Sequence, residues 1–159
     1  MRRIVLPFAI LFLLTPINVC ASEETYISET AYNACVKYGE EYNICPEILM
    51  SIIEKESSGQ FDAENDGCKG LMQINEKFHA DRMKRLGCNN IFDEEQNVHV
   101  GTDYLSELLE EYEDIYIILM CYNMGESRAN ELVSLGIYES DYAVWICERS
   151  AELEKIHGK

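Results

Sequence analysis

Residues 46–57 read PEILMSIIEKES. At about 100° per residue on a helical wheel, Ile48, Leu49, Ile52 and Ile53 share one arc and Glu56 falls near its middle. Glu47, Glu54 and Lys55 project elsewhere, where surface charges are expected. One carboxylate therefore points where the core does. Pro46 at the first helical position lacks only an N–H that has no partner there anyway. Ser57-Ser58-Gly59 ends the helix.

Working outward, helical patterns dominate and strand signals are scarce. Residues 28–38 form a short amphipathic helix with Ala31, Tyr32, Cys35 and Tyr38 on one face, stopped by Gly39. Residues 61–69 are a polar loop with Asp62, Glu64, Asp66 and Gly67. The compact segment Gly70-Leu71-Met72-Gln73-Ile74 follows, with one amide among apolar neighbours. A helix over 77–86 closes at Gly87. Asp93 caps a helix over 94–111 with inward Val98, Gly101, Leu105, Leu108, Leu109 and Tyr112. Gly101 inside it costs about 1 kcal/mol against alanine, which marks a close approach. Asp114 caps a very apolar helix over 115–122, the expected centre of the domain. Helices over 127–135 and 141–156 complete an all-α chain with no repeat and no linker.

The first residues are not fold. Met1-Arg2-Arg3, the apolar run from Ile4 to Leu14 and the small-residue exit Val19-Cys20-Ala21 have the layout of a secretory signal peptide. The expected division is a signal peptide over 1–21 and one domain over 22–159, with no stable membrane span after cleavage and an exported location: periplasm, wall or medium. An uncleaved anchor is the alternative. The whole chain has 159 residues and net charge −16. Cleavage lowers Lys+Arg from 13 to 11 against 29 Asp+Glu, giving −18. That field argues against nucleic acid and anionic membranes as partners. Six cysteines remain, Cys35, Cys45, Cys68, Cys88, Cys121 and Cys147, and an even count in an exported chain reads as disulfides, Cys68 with Cys88 first. Free core thiols are the other reading. The spacings are too wide for CxxC metal or redox motifs.

A glutamate on an apolar face has its ionised form disfavoured, so its pKa rises. Still protonated near neutrality, it can donate to a leaving oxygen, as cleavage of a glycosidic bond requires. Ser57 beside it can hydrogen-bond a substrate or the carboxyl group.

Glu56-Ser57, then Gly70-Leu71-Met72-Gln73-Ile74, then Asn97-x3-Gly101-x2-Tyr104-Leu105, then Tyr122-Asn123-x-Gly125 occur in order and at fitting distances. Over roughly residues 27–153 the chain resembles the catalytic domain of soluble-type lytic transglycosylases, itself similar to goose-type lysozymes. The resemblance implies a lysozyme-like helical fold with Glu56 as the catalytic acid. It implies a saccharide groove lined by the segment from Gly70 to Gln73, with Met72 an apolar platform and Gln73 a polar contact. Asn97, Gly101 and Tyr104 match a supporting helix. Tyr122 and Asn123 match residues facing the acid, with Tyr142 a further groove tyrosine. The implied reaction cuts the β-1,4 bond between N-acetylmuramic acid and N-acetylglucosamine in the peptidoglycan strand. Glu56 acts as acid and then as base to the muramoyl 6-hydroxyl, giving a 1,6-anhydro product with no metal or cofactor.

The chain departs from the family pattern at Met124, where alanine is usual, and over Ser58-Gly59-Gln60-Phe61. Two other readings remain: a goose-type-like hydrolase drawing a second carboxylate from Asp62, Glu64 or Asp66, and a non-catalytic wall-binding or assembly protein. Service to a larger cell-envelope machine suits the small size of the domain.

Overall fold

A computed structural model describes residues 27–159. The signal peptide and its cleavage after Ala21 lie outside the described residues. Seven helices are present among them: α1 (Glu29–Tyr42), α2 (Pro46–Ser57), α3 (Glu76–Leu86), α4 (Glu94–Glu111), α5 (Ile115–Met124), α6 (Glu126–Ser134) and α7 (Asp141–Ile156). None is long and apolar enough to cross a membrane.

Most helix starts follow from one side-chain oxygen. Ser28 accepts from Ala31 N at 3.0 Å, Asp93 from Gln96 N at 3.0 Å and Asp114 from Tyr116 N at 2.8 Å. The α1 end differs from the sequence expectation. Gly39 does not stop the helix, which runs on to Asn43 in the left-handed region (φ 54°). Gly39 is needed for space instead: a Cβ there would lie 2.8 Å from Ile44 O and 2.9 Å from Pro46 Cγ.

Between α2 and α3 the chain is not simply loop. Strands β1 (Glu64–Asn65), β2 (Cys68–Lys69) and β3 (Ile74–Asn75) form an antiparallel sheet in that order, with Asn65 opposite Cys68 and Lys69 opposite Ile74. Two-residue strands leave no alternation to read, so the expectation of an all-helical chain missed them.

The core forms where α2 expects it. Leu49, Met50, Ile52 and Ile53 are fully buried, as are Leu119, Met120 and Cys121 of α5. Helix α5 packs against α4, α6 and α7. Along α4, Val98, Leu105 and Leu108 point inward, but Leu109 is exposed and Tyr112 lies just past the last turn. The expected disulfides, Cys68–Cys88 included, are not formed. All six cysteines are free thiols, with Cys35, Cys88 and Cys121 buried.

Glu47 and Glu54 are not the surface charges their wheel positions suggest. Glu47 is 1% exposed and meets His157 Nδ1 at 2.8 Å and Lys159 Nζ at 2.8 Å, beyond the end of α7. Glu54 takes a two-pronged ion pair from Arg149, at 2.7 and 3.1 Å. Burial pushes the Glu47 pKa up, but hydrogen bonds from Cys45, Lys159 and His157 outweigh it and hold it at about 2. A carboxyl depressed in the folded state adds stability above its unfolded pKa and loses it as pH falls through the folded one. We therefore expect stability to decline from about pH 4.5 to about pH 2, with a shallower decline in Glu47→Gln. Urea midpoints across that range check this; equal slopes in both proteins would contradict it.

Candidate active site

The last turn of α2 brings Glu56 to the wall of a groove of about 700 Å³. Its carboxylate accepts from the Tyr142 hydroxyl at 2.7 Å. Tyr142 stands in the first turn of α7 and is nine-tenths buried. Asn123, at the end of α5, lines the same groove and favours the ionised form of Glu56. Burial raises the Glu56 pKa above the usual carboxylate value, against the opposing pull of Tyr142, Lys55 and Asn123. The net effect is a carboxyl that keeps its proton to higher pH than a solvated glutamate.

Facing Glu56 is the segment that joins β2 to β3. Its shape depends on one buried amide. Asn97 Nδ2 donates to Lys69 O at 3.0 Å and to Ile91 O at 2.8 Å, while Oδ1 accepts from Met72 N at 2.8 Å. Gly70 fits here because its φ is +74° and a Cβ would sit 2.3 Å from Asn97 Nδ2. Gln73 also has positive φ (49°), and its amide donates back to Gly70 O at 2.9 Å and Ala63 O at 3.2 Å. Gln73 thus holds the loop while lining the groove.

Two expected substrate contacts are corrected. Met72 is fully buried and is no platform. Its side chain fills the notch at Gly101, where a Cβ would meet its Sδ at 2.5 Å. Ser57 is buried too, and its hydroxyl donates to Ile53 O at 3.1 Å within α2. Leu71 and Gly70 lie beneath the groove surface. The segment shapes the wall from behind.

Tyr122 lines the groove, and its hydroxyl donates to Met72 O at 3.0 Å. Burial, and then the nearby Glu56 charge, push its pKa well above the ordinary phenol value, so it stays neutral. Its ring tilts against Tyr104 at 5.4 Å, and Tyr104 meets the His79 ring at 4.7 Å. Arg82 is clamped by Asp103 and by Glu107 at 2.6 Å, with its guanidinium 5.2 Å over the Tyr104 ring. Burial lowers the His79 pKa, favouring the neutral ring.

Sequence reasoning overlooked this arm of the groove, formed by Phe78, His79, Arg82 and Glu107. A signal was available: Arg82 follows His79 by three residues, and Glu107 follows Tyr104 by three, each pair on one helical face. Of the three loop acids, Asp66 lines the groove, whereas Asp62 and Glu64 are exposed outside it. One metal-ligand-type grouping among the described residues, Cys45, Glu47 and Glu154, lies at the other end of α2. There Lys159 already neutralises Glu47.

Glu56 at a helix end on the wall of a groove, across from a short three-stranded sheet, is the arrangement of a lysozyme-like fold. Comparison with known proteins gives the family: residues 31–136 match the Transglycosylase SLT domain, and the chain belongs to that family. A transglycosylase of Enterobacteria phage PRD1 is 33% identical over 91 residues, covering 57% of this chain and 33% of the phage protein. Protein IpgF of Shigella flexneri is 32% identical over 118 residues, covering 67% of this chain and 74% of IpgF. The fold is shared with the lytic transglycosylase Slt of Pseudomonas aeruginosa, solved as an inactive glutamate-to-glutamine mutant. That match has TM-score 0.67 and 16% identity over 77% of this chain and 24% of Slt. The chain therefore spans about a third of the phage enzyme and a quarter of Slt.

Asn97 is the scaffold residue whose loss should be felt most. Asn97→Ala leaves Met72 N, Lys69 O and Ile91 O without their present partner. Each buried unsatisfied group costs about 1–3 kcal/mol, so we expect a stability loss of about 3 kcal/mol or more. Chemical denaturation measures it; a loss below about 1 kcal/mol would show that the amide does not hold the segment.

Proposed function

We propose that this protein is a peptidoglycan lytic transglycosylase with Glu56 as its single catalytic carboxyl group. The observation that carries the reading is the partly buried Glu56 carboxyl on the groove wall, held by the Tyr142 hydroxyl with its pKa raised. Family membership supports the same reading, as does the description of Slt as inactive after a glutamate-to-glutamine change.

The substrate is the β-1,4-linked glycan strand. Glu56 gives its proton to the glycosidic oxygen between N-acetylmuramic acid and N-acetylglucosamine as the bond from that oxygen to the anomeric carbon breaks. The muramoyl 6-hydroxyl oxygen then bonds to the anomeric carbon, and its proton passes to the Glu56 carboxylate. The acid is regenerated, no water is consumed and the product is a 1,6-anhydro sugar. Burial serves the first step by letting Glu56 hold its proton to higher pH than a solvated glutamate, while Tyr142 and Asn123 favour the carboxylate between the two steps. Tyr122 braces the opposite wall through its hydrogen bond to Met72 O.

The same proposal places the protein on the side of the cell envelope where peptidoglycan is, with export directed by residues 1–21. Asp66 in the groove is the observation that favours a hydrolytic alternative, in which it would activate water.

The test is product mass analysis on intact peptidoglycan. We expect released muropeptides one water lighter than hydrolytic products, and Glu56→Gln slower by about a hundredfold or more. Reducing-end products would favour the Asp66 route, and full activity in Glu56→Gln would remove the assignment. The rate should also fall as pH rises through the Glu56 pKa, because the protonated form starts the reaction.

A further inference from the structure

Phe78 is 77% exposed, the most open of the large exposed apolar side chains among the described residues, yet it lines the same groove as Glu56. A phenyl ring gains free energy on leaving water, so one held open on a binding groove is matched to a ligand that covers it. Its setting is anchored. Asn75, paired with Cys68 across the small sheet, caps α3 by accepting from Lys77 N at 3.1 Å. Immediately after Phe78 the helix departs from regular geometry at His79 (φ −111°, ψ 15°). Neighbours on an unbroken helix point about 100° apart, but here Phe78 and His79 both line the groove. The turn therefore presents an apolar face beside a neutral imidazole and the Asn75 amide. The Lys77 ammonium stands 5.9 Å over the ring, so the ring already attracts positive partners.

We propose that Phe78 forms a saccharide subsite in which the apolar face of an N-acetylhexosamine ring stacks on the phenyl ring. The C–H groups of a pyranose face carry the partial positive charge that an aromatic face attracts. Its equatorial hydroxyl and acetamido groups project sideways, toward His79 and Asn75. The subsite rests on the glycan-cleaving reading and extends it: Phe78 grips the strand along the α3 arm and takes no part in the chemistry. Arg82, tied to Asp103 and Glu107, is the rigid floor of the arm.

Phe78→Ala should leave the thermal midpoint unchanged, since the side chain is exposed. We expect it to weaken chitohexaose binding, and to raise KM on peptidoglycan, by about tenfold, with kcat within about twofold of wild type. Phe61→Ala removes another exposed phenylalanine, one that does not line the groove, and should change neither. Phe78→Trp, in a Trp145→Phe background, should restore binding and shift its emission to the blue as sugar covers the indole. The proposal is overturned if Phe78→Ala binds the hexamer as tightly as wild type, if wild type does not bind it, or if the indole emission does not move at saturation. If binding depends on Phe78 while wild type yields no anhydro product, the subsite stands and the reaction assigned above does not.

Discussion

Three carboxylates on α2 grip three places along and just beyond α7, and the site depends on that seam. Glu47, Glu54 and Glu56 of α2 meet His157 with Lys159, Arg149, and Tyr142 respectively, so α2 and α7 run antiparallel and are pinned along their length. Between the pins, Leu49, Ile52 and Ile53 of α2 are fully buried and Ile48 is partly so. Two of the contacts are ionic, and their charges are balanced by a partner. The third is a neutral donor on a carboxyl that faces the groove. That difference in partner separates a structural acid, held ionised at a pKa of about 2, from one whose pKa is raised.

The other wall follows the same economy of polar groups. Asn97 satisfies three backbone atoms at once, which lets the segment from Gly70 to Ile74 lie against α4 without burying an unpaired amide. Gly101 makes room for Met72, and Met72 O in turn receives the Tyr122 hydroxyl. The groove is therefore rigid on the side opposite Glu56. The α3 arm completes the groove, with the Phe78 ring open to solvent.

The helices were legible because their signals are local. Asp93, Asp114 and Pro46 mark starts, and the periodic faces of α2 and α4 mark what is buried. Glu56 was legible for the same reason, and its family motifs gave it a setting. What could not be read were contacts between residues far apart in sequence. Glu47 looked like a surface charge because His157 and Lys159 are more than a hundred positions away. Met72 looked like a sugar platform because its motif says nothing about Gly101 pressing on it from α4. The three two-residue strands carry too little pattern to register at all, and Phe78 was passed over because one aromatic in a polar helix does not announce a groove. The six cysteines were read through the expectation of export, whereas the fold holds them as thiols without a bond between them.

Burial on the groove wall raises the Glu56 pKa, and the proposed role of this carboxyl as an acid depends on that shift. Carbon-detected NMR titration of the Glu56 side chain in the wild-type protein tests it most directly, with Tyr142→Phe beside it. The account predicts a Glu56 pKa above the ordinary 4.5 of a glutamate, raised further when the Tyr142 hydrogen bond to the carboxylate is removed. A wild-type value at or below 4.5 would contradict it.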